Sequence, residues 1–519
     1  MLHILTGRAG SGKTTQVLRR MREAGERRPQ LLLVPEQASF ETERRFCREN
    51  GNQAGRYGEV LSFTRLENRV LSLGGGAAEP VLDAGGRLLV LYAALRSVQA
   101  NLTVYAMPSQ KPAFLTSLLT TLDELKSYCI TGEQLTQVGE ETEGMDGEKL
   151  RDLGLIFGAY EAMTARGALD PRDRLTRLAE KLRRFPFFQG QDVYLDGFTD
   201  FTPQQGLVLA ELLRQAHSVT LALTYGEGAG EEAVFAPARK TLAWIKGLAA
   251  KVGCPVEEEA LPAGEWERTP PLRHLEQALF AHPMPPYTGP WDGSIVVHEL
   301  PSPREEVAWA AGEIRALVRQ GRVRYRDIVV TARSMDPYWE QLEGVFAQYD
   351  IPLFQADKTD LLQKPLFTLI TAALDAVNGG YLYEDMFRYL KTGLAGLSLP
   401  ECDQLENYVL TWDIWGSRWT GAGGWTRHPG GYHQRFTPQD EETLETLNAL
   451  RLRVIQPLER LRKNAGGTIG EQVLALYQFL EEIHAPEHLE ARSAALLHQG
   501  EPGLARQYSQ LWEIFCRAL

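Results

Sequence analysis

The sequence predicts an α/β fold built around a parallel sheet, and three observations lead to this prediction. An apolar run at residues 1–6 leads directly into the glycine-rich segment GRAGSGKT at residues 7–14. A second apolar run, LLLVPEQ at residues 31–37, has the length and continuous hydrophobicity of a buried parallel strand. Further apolar runs alternate with segments of helical periodicity. We therefore expect a sheet with helices on both faces.

The first predicted domain is split into residues 1–79 and 188–285. Val17, Leu18 and Met21 have helical spacing, which predicts a helix directly after the glycine-rich segment. Five strands are expected in this domain, at residues 1–6, 31–35, 59–66, 192–198 and 218–225. Glycine- and proline-rich passages near 226–236 and 282–294 predict loops.

The interval between the two parts of this domain has a different pattern. Residues 80–187 lack convincing strands, so we expect a helical insertion there. Helical periodicity occurs in four segments of it, at residues 84–99, 113–128, 148–165 and 172–184.

The C-terminal half is predicted to hold two further domains. Residues 290–364 are expected to form a second, incomplete α/β unit, with helices at 303–320 and 337–349. Its strands are expected at residues 294–300, 327–333 and 351–354. Residues 365–519 are predicted to be a helical, Trp-rich domain that is truncated within a helical pattern.

Bulk properties restrict the classes of protein that fit. A chain of 519 residues is too long for one hydrophobic core. Its net charge of −12 gives no overall attraction to nucleic acid, so any DNA contact must lie in a local groove. Neither a signal peptide nor a long apolar run occurs, so we expect a cytoplasmic protein without membrane contact. The five cysteines lack C-x-x-C spacing, which argues against a disulfide framework, a zinc site or an iron–sulfur site.

The segment 7–14 predicts a site for ATP and Mg²⁺. It matches the phosphate-loop pattern G-x-x-x-x-G-K-T between a strand and a helix, where backbone amides and the helix N-terminus form an anion cradle. Lys13 would reach the β- and γ-phosphates, and Thr14 would offer its hydroxyl to Mg²⁺. The alternative is a glycine-rich turn without a ligand. The predicted nucleotide-binding residues of the loop are Gly7, Arg8, Ala9, Gly10, Ser11, Gly12, Lys13 and Thr14.

A second motif supplies a metal ligand but no water-activating carboxylate. Asp196 follows the strand at 193–195 and is expected to hold Mg²⁺ together with Thr14. In UvrD/Rep-like helicases a glutamate follows this aspartate, whereas this chain has Gly197. We therefore assign no catalytic residue and expect a site that binds a nucleotide but hydrolyses it poorly. Arg333 matches the helicase arginine that reaches toward the γ-phosphate and is predicted to bind the nucleotide; a surface residue without this role is the alternative.

Together, these motifs resemble the AddB subunit of bacterial AddAB helicase–nucleases. Six segments carry the resemblance, in order: GRAGSGKT (7–14), LLLVPEQASF (31–40), EVLSFTRL (59–66), VYLDGFTDFTPQQ (193–205), DIVVTAR (327–333) and CDQLENYVLTWDIWGSRWT (402–420). The resemblance implies tandem RecA-like P-loop domains in a UvrD/Rep-like helicase architecture with helical insertions. The resemblance covers only the N-terminal part of the proteins in this family. The family's C-terminal nuclease and its 4Fe-4S cluster are therefore not expected in this chain, which we interpret as a fragment or a truncated gene product.

The resemblance also implies a function and partners. An AddB subunit is helicase-shaped but is not a motor; it acts in double-strand break repair by homologous recombination. Its AddA-type partner unwinds double-stranded DNA, and AddB scans the single strand for a recombination signal. Aromatic side chains stack on unpaired bases, while Arg and Gln bind base edges or phosphates. The candidate DNA-binding residues are Gln37, Ser39, Phe63, Thr64, Arg65, Phe198 and Phe201. Asn68 replaces an aromatic residue that some members carry.

Several alternatives remain open at the level of sequence. The chain could be an active ATPase or helicase, a small-molecule kinase, or an architectural subunit with a vestigial nucleotide site. Phe63 could simply pack a strand against a helix, as could Phe198 or Phe201. Arg65 could pair with Glu67 or Glu59. The run at residues 43–49 predicts a solvated helix face. The tryptophans at 412, 415, 419 and 425 suggest a base-stacking platform, although packing is the more frequent role.

Overall fold

The computed structural model describes residues 1–51, 53–76, 78–107, 111–165, 167–226, 233–262, 269–354 and 361–519. The chain divides into two compact units, Met1–Glu299 and Leu300–Leu519. Each unit has its own buried apolar core.

The first unit is built on a six-stranded parallel sheet in the order β3-β2-β4-β5-β1-β6. Its strands are β1 (Leu2–Gly7), β2 (Gln30–Leu33), β3 (Gly58–Leu61), β4 (Asp192–Leu195), β5 (Ser218–Thr224) and β6 (Val256–Ala260). The α/β class is thereby confirmed for this unit. The sequence did not predict β6 because its residues, VEEEA, are mostly acidic; its backbone nevertheless pairs with β1 at the edge of the sheet.

Helices cover both faces of this sheet, and three of them lie in the first part of the unit. These are α1 (Lys13–Ala24), α2 (Ser39–Asn50) and α3 (Phe63–Gly74). Alternate side chains of β2 enter different cores: Leu32 packs with Val17 and Phe46 on one face, while Leu31 and Leu33 belong to the other core. This two-sided burial explains the continuous apolar runs of a parallel sheet.

Five helices connect β3 to β4, namely α4 (Ala84–Val98), α5 (Pro112–Ser127), α6 (Gly132–Glu141), α7 (Met145–Thr164) and α8 (Arg174–Arg184). Helix α6 was not predicted; Thr131 and Gln134 form its capping box. A buried cluster of charged side chains stabilises the packing of these helices. The Asp170 carboxylate lies 2.9 Å from Arg87 Nε and 3.1 Å from Lys126 Nζ, and it accepts a hydrogen bond from the Tyr160 hydroxyl at 2.8 Å. Because these charges neutralise one another, we interpret the cluster as structural.

Three more helices complete the first unit: α9 (Pro203–Gln215), α10 (Ala236–Lys251) and α11 (Pro270–Ala278). Helix α9 begins with a capping box formed by Thr202 and Gln205. Of the two predicted loops, the part of the first at 227–232 lies outside the described residues. The second, at 282–294, has no regular secondary structure.

The predicted second α/β unit differs from the structure. Helices α12 (Pro303–Arg319) and α13 (Trp339–Gln348) pack against each other, as their periodicity indicates. The strands expected at 294–300, 327–333 and 351–354 are absent, because no other described segment pairs with them. Val297 and Val329 are 89% and 85% exposed. A second RecA-like sheet is therefore not found among the described residues.

The rest of the second unit is helical. Its helices are α14 (Pro365–Gly379), α15 (Tyr383–Leu390), α16 (Leu399–Trp412), α17 (Ser417–Thr420), α18 (Pro438–Asn464), α19 (Ile469–Glu482), α20 (Ala485–His498) and α21 (Pro502–Ala518). Trp412, Trp419 and Trp425 are buried in their common core, whereas Trp415 is exposed. Three of the four tryptophans are thus packing residues rather than a stacking platform.

None of the described helices combines the length and the apolar character needed to cross a lipid bilayer.

Candidate nucleotide-binding site

The phosphate loop follows β1 and makes a tight turn before α1 begins. Gly10 and Gly12 adopt φ values of 79° and 85°, a region that L side chains rarely enter. A Cβ added to Gly7 would lie 2.3 Å from Ser11 Oγ. This geometry explains why glycine occupies these three positions of the loop.

Lys13, the first residue of α1, is 9% exposed and folds back over the loop. Its Nζ donates to the carbonyl oxygens of Gly7 and Arg8, each at 2.8 Å. Burial lowers the pKa of Lys13, while the charges of Asp196 and Glu276 act to raise it. The ammonium group is thus held at the inner face of the loop, where an incoming phosphate oxygen would compete with the two carbonyls.

Asp196 lies immediately beyond β4 and is 8% exposed. Its backbone N–H donates to Leu33 at 3.1 Å, and its Oδ1 accepts the N–H of Gly197 at 3.0 Å. Gly197 has a φ of 80°, and a Cβ there would lie 3.3 Å from the ring of Pro35. Replacing the expected glutamate with glycine therefore also changes the backbone, because this conformation is unfavourable for a glutamate.

The phosphate loop and Asp196 line one cavity of about 300 Å³, here called the loop cavity. Its lining residues are Ala9, Gly10, Gly12, Lys13, Thr14, Thr15, Arg45, Asp196, Gly197, Phe198, Thr199, Ala222 and Thr224. Lys13, Thr14 and Asp196 thus meet at one site although β5 separates their strands. The hydroxyl of Ser11, in the same loop, is buried and has no partner among the described residues. A cation, a hydroxyl and a carboxylate at one cavity are the groups that a Mg²⁺-bound phosphate requires.

Arg8 has a different environment from the rest of the loop. Its side chain does not line the loop cavity but reaches α11, where Nε lies 2.9 Å from the Glu276 carboxylate. Nη2 donates to the Glu276 carbonyl at 2.7 Å, and the guanidinium lies 5.6 Å from the Phe235 ring. Arg8 therefore joins the loop to α11. The sequence contained no signal for Glu276, which lies 268 residues away.

Arg45 is the second residue that sequence reasoning missed. It lies on α2, within the run that was predicted to be a solvated face, yet it lines the loop cavity. Its Nη2 donates to Thr15 Oγ1 at 3.0 Å, and its Nε donates to Glu49 at 2.6 Å. Arg45 thus brings a positive charge to the cavity from a different element. Arg333, in contrast, lies on an exposed segment of the second unit, and its expected role remains a prediction.

A larger cavity of about 630 Å³, here called the Gln37 cavity, contains four of the candidate DNA-binding residues. Those four are Gln37, Phe63, Thr64 and Phe198. The other lining residues are Val34, Pro35, Glu36, Glu67, Pro171, Arg172, Arg174, Leu175, Gly197, Thr199, Asp200, Thr202, Gln204 and Gln205. Ser39, Arg65 and Phe201 do not line it. The two cavities share Gly197, Phe198 and Thr199.

The candidate aromatic residues form a chain of packed rings. Phe63 and Phe198 are 7% and 9% exposed and meet edge to face at 5.7 Å between centroids. Phe198 lies 5.0 Å from Phe201, which in turn stacks on Trp244 at 6.0 Å. Phe63 and Phe198 therefore form the floor of the Gln37 cavity and belong to the core, so little of either ring is available to a base.

Two of the polar candidates, Arg65 and Ser39, contact each other. Arg65 Nη1 donates to Ser39 Oγ at 3.0 Å and lies 3.1 Å from Glu43. The partner of Arg65 is thus Glu43, and neither alternative from the sequence is correct. Glu59 pairs with Arg69, and Glu67 pairs with Arg174. The serine is buried, so its hydroxyl positions Arg65 on the surface.

Glu36 helps to shape the Gln37 cavity by capping α3. Its Oε1 accepts the N–H of Thr64 at 3.1 Å, next to the N-cap Ser62. Burial acts to raise the pKa of Glu36, but the hydrogen bonds from Thr64 and Ser62 outweigh it and the pKa is lowered. With Glu67 and Asp200, three acidic and only two basic side chains line the cavity. The cavity is therefore poorly suited to binding several phosphates.

Comparison with known proteins places this geometry in a family. A family model described as "ADDB, N-terminal" matches residues 4–276, from β1 to α11. Proteins named as the B subunit of an ATP-dependent helicase/deoxyribonuclease are similar over nearly the whole chain. Those from Acetivibrio thermocellus, Desulforudis audaxviator and Moorella thermoacetica are 33%, 34% and 34% identical over 98%, 99% and 99% of this chain. The chain spans 46% of the length of each of these relatives. Because the family match covers more than half of the chain, including the whole phosphate loop, the chain belongs to the AddB family.

Proposed function

We propose that this chain is a non-motor, helicase-like subunit of a bacterial helicase–nuclease that acts in double-strand break repair by homologous recombination. The observation that carries the proposal is the loop cavity. Lys13, Thr14 and Asp196 line it together, while the position that would activate water is Gly197 at φ 80°. Such a site has the groups for binding a nucleotide and lacks one for hydrolysing it.

We propose that the loop cavity binds ATP with Mg²⁺. Lys13 would exchange its two loop carbonyls for phosphate oxygens, and Thr14 and Asp196 would be the metal's protein ligands. Mg²⁺ would neutralise phosphate charge and orient the phosphate chain. The side chain of Arg45, on the wall formed by α2, would add a further positive charge at the nucleotide.

Equilibrium binding of ATP–Mg²⁺ to the purified chain tests this proposal. Lys13→Ala removes the buried ammonium and should weaken binding by at least about tenfold, since a charge-assisted hydrogen bond contributes about 1.5–3 kcal/mol. Lys251→Ala, on the exposed end of α10, is the matched control and should leave the affinity unchanged. Equal affinity of the unsubstituted chain and Lys13→Ala, with both folded by circular dichroism, would contradict the proposal.

The domain organisation of the first unit is also part of the proposal. Residues 1–79 and 188–285 would form one RecA-like domain, with residues 80–187 inserted into it. Pairing of β2 with β4 from Gln30–Asp192 to Leu33–Leu195 supports this division, because the two strands flank the insertion in the chain.

We further propose that single-stranded DNA is scanned at the Gln37 cavity, in a complex with an AddA-type subunit that unwinds double-stranded DNA. The relatives' name, which describes each of them as one subunit of an enzyme, supports the existence of such a partner. Gln37 and Thr64 are exposed at the cavity, and Arg65 lies beside it on α3. Because acidic side chains outnumber basic ones in the cavity, contacts to bases should contribute more than contacts to phosphates.

A salt titration of single-stranded DNA binding separates these contacts. Arg65→Ala should weaken binding and flatten the slope of log K against log salt by about 0.7, the value for one phosphate on a single strand. Gln37→Ala should weaken binding without changing the slope, because it removes a base contact. Arg69→Ala, an exposed arginine one turn along α3, is the control for charge alone. If neither Arg65→Ala nor Gln37→Ala changes the affinity, the DNA surface lies elsewhere.

A further inference from the structure

The second unit contains a buried arginine without a counter-charge. Arg451, on α18, is 4% exposed. Its Nη1 donates to the carbonyl oxygens of Trp419 at 2.6 Å and Gly421 at 3.2 Å. Its Nε is buried and has no acceptor among the described residues. No carboxylate in the described part of the chain forms an ion pair with it.

This arrangement is energetically unfavourable without an anion. Two carbonyl oxygens satisfy part of the guanidinium, but they carry no net negative charge to balance it. Burial lowers the pKa of Arg451, and no neighbouring acid opposes the effect. Since a guanidinium stays protonated in proteins, the unit keeps an unneutralised positive charge beneath its surface. Arg87 in the first unit is also buried, but two aspartates neutralise its charge.

Arg451 lies on the wall of a cavity of about 970 Å³, here called the Arg451 cavity. The glycine-rich loop 421–424 forms part of its wall, and its charged lining residues are Arg451, Glu459, Arg460, Arg462 and Lys463. Four basic side chains and one acidic side chain thus line it, in a protein whose net charge is −12. The positive charge is therefore a local property of this face of α18 and the glycine-rich loop 421–424.

Neighbouring residues hold this wall in place. The Asn448 amide donates to the Trp425 carbonyl at 2.8 Å and accepts the Trp425 N–H at 2.7 Å, which fixes the end of the glycine-rich loop on α18. The Trp425 ring stacks on Tyr408 and lies 5.8 Å from the Arg451 guanidinium. Because these contacts restrict the arginine, an anion would meet a preorganised donor.

The basic residues extend along one helix. From Arg451 to Lys463, the helical rise of 1.5 Å per residue gives a span of about 18 Å. Arg460 pairs with Glu482 and Arg462 with Glu459, whereas Lys463 has no ion pair among the described residues. A stacked nucleic-acid strand carries one phosphate per about 3.4 Å, so the span corresponds to about five nucleotides. A chain of phosphates matches this length better than one isolated phosphate does.

We propose that the Arg451 cavity binds phosphate groups of a DNA backbone, with Arg451 as the buried anchor and Lys463 as a second contact. Phosphate is the chemistry that the guanidinium and the basic helix face would recognise. The choice of DNA as the source of that phosphate rests on the proposed function. The site is separate from both cavities of the first unit and shares no residue with them.

A salt titration of DNA binding with three variants of the full chain tests the proposal. Lys463→Met should weaken the binding of single-stranded DNA and flatten the log–log salt slope by about 0.7. Arg451→Met should weaken binding by about tenfold or more, because it removes a charged donor from a preorganised site. Arg492→Met, an exposed arginine on α20, is the control and should leave affinity and slope unchanged. If Arg451→Met does not fold, the exposed Lys463 still provides the test.

Inorganic phosphate, measured as a shift in melting temperature, separates the two sources of the ligand. Stabilisation of the unsubstituted chain that decreases in Lys463→Met, together with weaker DNA binding, supports the proposal. Stabilisation by phosphate with unchanged DNA binding overturns the assignment to DNA and leaves a site for free phosphate compounds. Unchanged DNA binding and unchanged phosphate stabilisation in both variants overturn the site itself. If the unsubstituted chain binds no DNA at all, the proposed function fails, and the phosphate shift alone decides whether the cavity binds anions.

Discussion

Similar apolar runs have different outcomes in two regions of the molecule. At residues 2–260 the five predicted strands, together with the unpredicted β6, form a six-stranded parallel sheet whose inner strands are buried on both faces. At residues 294–354 the runs VV (296–297) and DIVVTAR (327–333) are also apolar but form no strand among the described residues. Leu32 is fully buried, whereas Val329 is 85% exposed. The two regions differ because the backbone of the first can pair with neighbouring strands, whereas the described part of the second offers no such strand.

Backbone pairing, rather than side-chain composition, decides which segment becomes a strand. The β6 segment has three glutamates and low strand propensity, yet it pairs with β1 because it reaches the edge of an existing sheet. The segment at 327–333 has high strand propensity but no neighbouring strand among the described residues with which to form a ladder of hydrogen bonds. A hydrophobic pattern therefore predicts a strand reliably only where a neighbouring strand is available to pair with the backbone.

Hydrogen exchange gives the largest expected contrast between the two regions. We expect amides of β1 and β5, inside the sheet, to exchange several orders of magnitude more slowly than those of residues 327–333. Exchange measured by mass spectrometry on peptides from both regions provides the comparison within one sample. Equal protection of the amides in β1 and β5 and of those in residues 327–333 would show that residues 327–333 are hydrogen-bonded to another strand in solution.

Truncating one apolar side chain in each region should show a smaller contrast. Leu32→Ala removes a fully buried side chain from an inner strand of the sheet and should lower the free energy of unfolding by about 2–5 kcal/mol. Val329→Ala changes an exposed side chain and should alter it by less than about 0.5 kcal/mol. Urea unfolding followed by circular dichroism measures both. A large loss of stability from Val329→Ala would mean that this valine is buried in solution.

The smallest expected effect is electrostatic and depends on pH. Because the pKa of Glu36 is lowered in the folded chain, its ionised form stabilises the fold above the ordinary glutamate pKa. That contribution is lost as the pH falls through the pKa that Glu36 has in the folded chain. Glu36→Gln should therefore cost less than about 1 kcal/mol at pH 7, and the difference should decrease as the pH falls below the ordinary glutamate pKa.

Glu343→Gln, on the exposed face of α13 in the other region, is the matched control for Glu36→Gln and should show no such pH dependence. Urea unfolding at several pH values measures both variants. A Glu36→Gln effect that persists unchanged at low pH would exclude the ionised cap as its cause.

Local sequence motifs predicted the phosphate loop and Asp196, but they did not predict the residues that contact the loop from other elements. The phosphate loop and Asp196 could be found because each is a short pattern next to a strand, and the carboxyl ends of parallel strands lie on one edge of a sheet. Arg45 and Glu276 could not be found, since their roles depend on contacts with residues distant in sequence. The burial of Phe63 and Phe198 was weighed as an alternative, but only packing could decide it.

The Arg451 cavity illustrates the same limit. In the sequence, Arg451 is one of several basic residues on a long helix, and periodicity does not reveal that it is buried. Its lack of a counter-charge becomes visible only when α18 packs beneath the loop at 421–424. A site that depends on the absence of a partner leaves no local sequence pattern.

The central claim, that this chain binds a nucleotide without turning it over, is tested most directly by phosphate release. Purified chain with saturating ATP–Mg²⁺, with and without single-stranded DNA, should release phosphate no faster than Lys13→Ala does. Gly197, at φ 80°, offers no carboxylate to activate water, and Asp196 is expected to be engaged with the metal. Steady phosphate release by the unsubstituted chain that disappears in Lys13→Ala would contradict the account.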